Sequence, residues 1–360
     1  MNNILETNFR LTHAPISIKD FNSIKKATVL NSELWREKES LDNASLYIIG
    51  KREVPVFVPR REISDEHCLI LDVEVGKASF RIFIPALKNP KYSLNGFAGI
   101  KTEPEGLEKA QKVWLCAFND KGEDVSNIGF TFDELIYYYR NDLFHIIMQG
   151  DFTSAITYEV LYVGQSVGEK LTQRFKAHHA LQDMLIEEKV ISPSVDKSEE
   201  LILMPFTIDS YMYTMLTGFS SEDDWMKALF GNFDVTPNQI SLDGEKALVH
   251  GMNPKYNCIR FKNYPFSKDG LYKSDAKVFC HSIAEYVILK YDKGNIIGCP
   301  ETAFASSIVG DEDGFTKVFN PDENKTERYA KKWYDEHEKR MIEEGYAFTS
   351  SESQHADGCI

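Results

Sequence analysis

With 360 residues, 42% of them hydrophobic and 27% charged, the chain can build two packed cores and is too apolar to stay disordered. No apolar run reaches the ~18 residues a bilayer span needs, and MNNILETNFR lacks the basic start and apolar core of a secretory signal, so a cytoplasmic protein is expected. The formal net charge of -14 excludes a uniformly basic, nucleic-acid-coating surface.

Residues 1–45 show no clean period. A strand-rich block follows, with short β-branched and aromatic runs at 45–50, 54–59, 68–75 and 79–85. Val75-Gly76-Lys77-Ala78 joins two of them as a hairpin turn. Residues 112–118 form another strand, closed by a turn over 120–124. Thr131-Phe132-Asp133-Glu134 has capping-box form and opens a helix through about Arg140. A short strand over 143–148 comes next. From Thr157 the pattern is strand, turn, helix, with the helix over 169–188 carrying Leu171, Phe175, Leu181 and Leu185 on one side. A polar loop spans 192–200, a strand 201–212, and helices 223–230 and 239–251, the latter ending before Pro254. Residues 276–291 hold a strand or a helix. Residues 323–344 read as a highly charged helix and 350–360 as a loose tail.

Two segments carry chemistry. In the first, an apolar strand Val160-Leu161-Tyr162-Val163 ends in Gly164-Gln165-Ser166. The helix after it carries Arg174 and His178, four apart and therefore on one face. In the second, Glu245-Lys246-Ala247-Leu248-Val249 sits on a helix and Pro254-Lys255-Tyr256-Asn257 turns back beneath it. The stretch 255–277 holds six basic residues, Lys255, Arg260, Lys262, Lys268, Lys273 and Lys277, against Asp269 and Asp275. That local excess offers a phosphate-attracting face within an acidic chain. The six cysteines, Cys68, Cys116, Cys258, Cys280, Cys299 and Cys359, are scattered and form no C-x-x-C pair, which argues against a disulfide framework or a zinc ribbon. His250, Cys258, Cys280 and His281 match no familiar zinc spacing.

Together the Tyr-Val-Gly strand end, the arginine on the next helix, the Glu-x-x-Leu-Val helix and the Pro-x-Tyr-Asn loop resemble the GIY-YIG nucleases over about a third of the chain. The resemblance implies an α+β domain at 141–275, a small mixed or antiparallel sheet flanked by helices. A strand-rich N-terminal domain would occupy 1–140, and a C-terminal helical extension and tail 276–360. It implies an endonuclease that hydrolyses nucleic-acid phosphodiesters, DNA favoured over RNA, in the manner of restriction or anti-phage enzymes. Tyr162, Arg174, His178 and Glu245 would be catalytic, and Glu245 would hold Mg²⁺ or Mn²⁺. Lys176, Lys255, Asn257, Arg260 and Lys262 would contact the nucleic acid. The N-terminal domain would serve target recognition, a protein partner or self-association. The family's first half-motif, Gly-Ile-Tyr, belongs on the preceding strand, and the nearest one, Leu143-Phe144-His145-Ile146-Ile147, has no tyrosine at its end. A catalytically silent GIY-YIG-like binding module is the alternative.

Overall fold

In the computed structural model of the chain, the residues described are 2–24, 32–59, 68–85, 88–89, 98–103, 108–118, 121, 123–175, 179–188, 199–215, 221–223, 225–226 and 234–321. The expected charged helix at 323–344, the tail, and most of the expected loop at 192–200 and helix at 223–230 lie outside them.

In chain order the elements are β1 (Asn2–Leu11), β2 (Ile16–Ser17), α1 (Ile18–Ile24), α2 (Ser32–Asp42), β3 (Leu46–Glu53), β4 (Val56–Pro59), β5 (Cys68–Val75), β6 (Ala78–Pro85), β7 (Ala98–Glu103), β8 (Lys112–Phe118) and β9 (Asp124–Phe130). There follow α3 (Phe132–Arg140), β10 (Ile147–Gln149), β11 (Thr157–Gln165), α4 (Leu171–Arg174), α5 (His179–Glu187), β12 (Glu199–Met215), α6 (Pro237–Met252), β13 (Val278–Ile283), β14 (Ile288–Tyr291), β15 (Gly294–Ile297), β16 (Ser307–Asp311) and β17 (Thr316–Phe319).

The mixed α+β character expected from the sequence is present, and its centre is one large mixed sheet. The strand order is β15-β14-β11-β3-β12-β1-β13-β16-β17, with β2 added on β12. The pairs β1–β13 and β11–β14 are parallel and the others antiparallel. Side chains alternate along a strand, so β3 feeds two cores. Leu46 and Ile48 join Ile202, Met204 and the α6 residues Ile240, Ala247 and Leu248 on one face. Tyr47 and Ile49 join Leu201, Leu203 and residues of α1, α2, α4 and α5 on the other. Gly244 lets α6 approach β1, since a Cβ there would stand 2.8 Å from the Phe9 ring.

A second core lies between β4 and β10. Sheets β10-β6-β5-β4 and β7-β8-β9 pack with α3 around Leu71, Val73, Ile82, Phe130 and Leu135. The Thr131–Glu134 capping box forms as the sequence predicts. Buried Arg52, on β3, ties the two cores together. It pairs with Asp133 of α3, donates to Tyr158 Oη at 3.0 Å and Ala155 O at 2.8 Å, and reaches Glu200 at 3.1 Å. A buried guanidinium is tolerable only with such complete pairing.

The sheets do not follow the expected boundaries at 140 and 275. Strands within the first 53 residues and strands from 278 to 319 belong to the same sheet as β11 and β12. The strand-rich block is an insertion between β3 and β11, which are direct antiparallel neighbours. The strand expected at 143–148 is the short β10, and it pairs with β6, away from β11. The expected helix 169–188 is two helices, α4 and α5. Residues 278–283 and 288–291 are strands. Among the described residues no helix is long and apolar enough to cross a membrane.

Candidate functional site

The site begins where β3 and β11 lie side by side. Tyr47 pairs across the ladder with Gly164 and Ile49 with Tyr162, after a register shift between Val160 and Tyr162. That irregularity adds a residue to β11 and re-aims the side chains beyond it, which brings Tyr162 onto the Tyr47 face. The two rings stack with centroids 5.9 Å apart, and Phe175 closes on Tyr47 at 5.1 Å. Gly164 makes this possible: a Cβ there would stand 2.6 Å from Tyr47 Cζ and 2.7 Å from Tyr162 Cε1. Gly164→Ala is therefore expected to cost about 1–3 kcal/mol through overpacking and to misplace both phenols. Denaturant unfolding should register the first effect and tyrosine fluorescence the second; a variant of wild-type stability would show that the rings have room to move.

Arg174 ends α4. The helix is seated by the last residue of α2, because Asp42 Oδ1 accepts from Thr172 N at 2.9 Å and from Thr172 Oγ1 at 2.7 Å. Leu171 and Thr172 are buried, which turns the other side of this single helical turn outward. The Arg174 guanidinium donates to the Tyr47 oxygen, and the Tyr47 and Tyr162 hydroxyls hydrogen-bond to each other. Arg174 Nη1 stands 3.9 Å from Glu169, a loose ion pair, and its Nε is buried with no acceptor among the described residues. An orphaned donor of this kind costs free energy and needs a reason.

Glu245 comes from the opposite face, on α6. That helix starts at a Thr236–Gln239 capping box with Pro237 in its first turn and ends at Asn253 in the left-handed region. Two residues before Glu245, fully buried Asp243 accepts from Tyr264 Oη at 2.8 Å and Leu271 N at 2.9 Å, and lies 2.9 Å from His281 Nε2. These bonds fix the helix against the 260s loop and so fix Glu245. Burial pushes the Glu245 carboxyl up to about 7, against the pull of Arg174 and Lys246 and with a push from Asp269. Burial likewise raises Tyr162, Tyr47 and Arg174 hold it down, and Glu245 raises it further. Burial drives Tyr47 above the ordinary phenol range, so this hydroxyl keeps its proton at any physiological pH. Glu245 makes no hydrogen bond and no ion pair among the described residues.

Of the residues expected from sequence, the structure thus brings together Tyr162, Arg174 and Glu245. His178 and Lys176 lie outside the described residues. Asn257 is corrected from a nucleic-acid contact to a strut. It is buried, donates to Val163 O at 2.7 Å and accepts from Val163 N at 2.9 Å, which pins its loop beside the β11 irregularity. Lys255 is likewise engaged within the chain, 3.3 Å from Glu187 and 2.9 Å from Glu188. Arg260 donates to the Pro254 and Lys255 carbonyls. Lys262 is exposed and unpaired among the described residues.

The sequence does not single out Tyr47: Leu46-Tyr47 heads the strand predicted over 45–50, but the insertion holds it far along the chain from its ladder neighbours on β11. A cleft of about 610 Å³ opens beside the cluster, lined by Lys246, Cys258, Arg260, Lys262, Phe266 and Asp269 among others. Among the described residues no three His, Cys, Asp or Glu side chains stand close enough to share a metal, so a cation here would have Glu245 as its protein ligand and water or substrate for the rest. That suits Mg²⁺, which keeps most of its waters.

No family model, no curated protein and no solved structure matches the chain.

Proposed function

We propose that the chain is a GIY-YIG-like, metal-dependent endonuclease acting on nucleic-acid phosphodiesters, DNA favoured. The observation that carries this reading is the convergence of Tyr47, Tyr162, Arg174 and a half-buried, unpartnered Glu245 at one end of the β3–β11 pair. Tyr47 supplies the tyrosine that the resemblance requires on the first strand, with the second half-motif opposite it on β11. The order β11-β3-β12, with α4 and α5 after β11 and α6 after β12, supports the same comparison.

Each residue has a task in this reading. The Arg174 fork offsets charge that gathers on the phosphoryl oxygens, and its buried Nε, without an acceptor among the described residues, is a donor held ready for that purpose. Tyr47 orients Tyr162 and keeps its own proton. Tyr162, the outer hydroxyl of the chain Arg174–Tyr47–Tyr162, orients the attacking water. Glu245 would hold a divalent cation, which when bound supplies Lewis acidity at a phosphoryl oxygen. The insertion between β3 and β11 is the natural element for target or partner recognition, and a defence role against foreign DNA fits that arrangement.

The test is incubation with supercoiled plasmid in Mg²⁺ or Mn²⁺ and in EDTA. Nicked or linear product is expected only with the cation. Equal cleavage in EDTA would remove the single-carboxylate mechanism. The alternative, a silent binding module, draws on one specific observation: Lys255 and Lys277 of the basic stretch, and Lys246 on α6 beside it, are each paired with a carboxylate. Plasmid retarded but uncut under every cation would favour it.

A further inference from the structure

Lys246 directly follows Glu245 but lines the cleft with the 260s loop. Its side chain is only 7% exposed, whereas the side chain of its partner Asp269 is 61% exposed. The ammonium pairs with Asp269 Oδ1 and donates to Ser267 Oγ at 2.6 Å, and Ser267 Oγ donates to the same Asp269 oxygen at 2.7 Å. A buried cation must be partnered. Here the cation is fixed in the protein, and the anion reaches it from the solvent side of an open cleft.

The loop itself is held under strain. Phe261 has φ 45° and Lys273 φ 88°, left-handed values that non-glycine side chains rarely adopt and that persist only where surrounding structure imposes them. Arg260 and Lys262 add positive charge along the same wall. A carboxylate oxygen bound to both an ammonium and a hydroxyl occupies the position a phosphodiester oxygen would take.

We propose that Lys246 and Ser267 form a second phosphate subsite, one that seats a backbone phosphate of the substrate strand beside the scissile one, and that Asp269 fills it as a built-in stand-in until the strand displaces it. The identity of the ligand rests on the nuclease reading.

The test reads binding apart from cleavage. A fluorescein-labelled DNA duplex is titrated by anisotropy in EDTA over a range of salt, with thermal unfolding of each protein measured alongside. In the wild type the phosphate replaces an internal carboxylate. In Asp269→Asn it replaces a salt anion on Lys246. Asp269→Asn is therefore expected to bind about 2- to 5-fold tighter at low salt, as much as one partly exposed ion pair competes. Its log–log salt slope should steepen by about 0.9. Lys246→Gln combined with Asp269→Asn should lose both gains. A folded Asp269→Asn that binds no tighter and keeps the wild-type slope overturns the subsite and leaves a structural ion pair. If Asp269→Asn does not fold, Ser267→Ala decides: weaker duplex binding with an unchanged slope supports the subsite, and unchanged binding overturns it. Wild-type cleavage in Mg²⁺ is scored on the same preparations. Cleavage without the affinity gain defeats the subsite alone, and the affinity gain without cleavage defeats the nuclease reading alone. No duplex binding by the wild type defeats both.

Discussion

Glu245→Gln is expected to abolish plasmid cleavage, with a loss of 10²-fold or more, on the order of what removing one transition-state group costs, while the folded protein becomes more stable. The two effects have one cause. The carboxylate is desolvated, lacks a hydrogen-bond donor among the described residues, and is pushed up to about 7 from its ordinary 4.5. Because the folded-state value is the higher one, the folded protein holds this proton more tightly than the unfolded chain. The stabilisation is fully present below about 4.5 and is lost as pH rises through about 7. Glutamine never ionises, so the variant escapes that loss. At pH 8 it should gain about 1–2 kcal/mol over the metal-free wild type, after discounting for partial exposure, and the gain should vanish near pH 4.5. Denaturant unfolding at the two pH values in EDTA measures it. A group that costs stability and carries activity is the usual mark of a functional position. A Glu245→Gln protein that is less stable at pH 8, or that cleaves normally, would show the carboxylate to be an ordinary helix residue.

How much of this was legible in the sequence depends on whether the signal was local. The capping box at Thr131 and the strands at 68–75 and 112–118 are set by residues within a turn or two of one another, and they form as read. Tyr162, Arg174 and Glu245 were legible because each sits in a short pattern whose spacing has a physical meaning. Tyr47 was not, because nothing in 45–50 says that its ladder partner lies beyond an inserted unit with its own core. The β3–β11 pairing is a long-range choice, made by burial on both faces of the sheet. The same holds for β1 and β13, whose parallel pairing joins residues 4–9 to residues 278–283. The internal partners of Lys255 and Asn257 are hidden from the sequence for a related reason. Charge and hydrogen-bonding capacity are visible in sequence, but Glu188 and the Val163 backbone that use them are distant along the chain.

Arg174→Ala should lower the single-turnover cleavage rate by about 10²-fold or more while changing DNA affinity little, because the fork acts on charge that appears only during reaction. Arg174→Lys should rescue poorly, since a point charge cannot hold Tyr47 and a phosphoryl oxygen together. Tyr47→Phe is the informative companion. It keeps the stacked ring against Tyr162 and Phe175 and deletes only the hydroxyl that links Arg174 to Tyr162. If the three act as one chain, Tyr47→Phe and Arg174→Ala will be non-additive, with the double variant little slower than Arg174→Ala alone. Additive losses would mean that Arg174 works on the phosphate without help from the tyrosines. A variant lacking Arg174 that binds weakly yet cleaves at the wild-type rate once saturated would reduce the arginine to a docking cation. In that case the buried Nε would need another explanation, because a docking contact at the surface gives no reason to bury a donor that has no acceptor among the described residues.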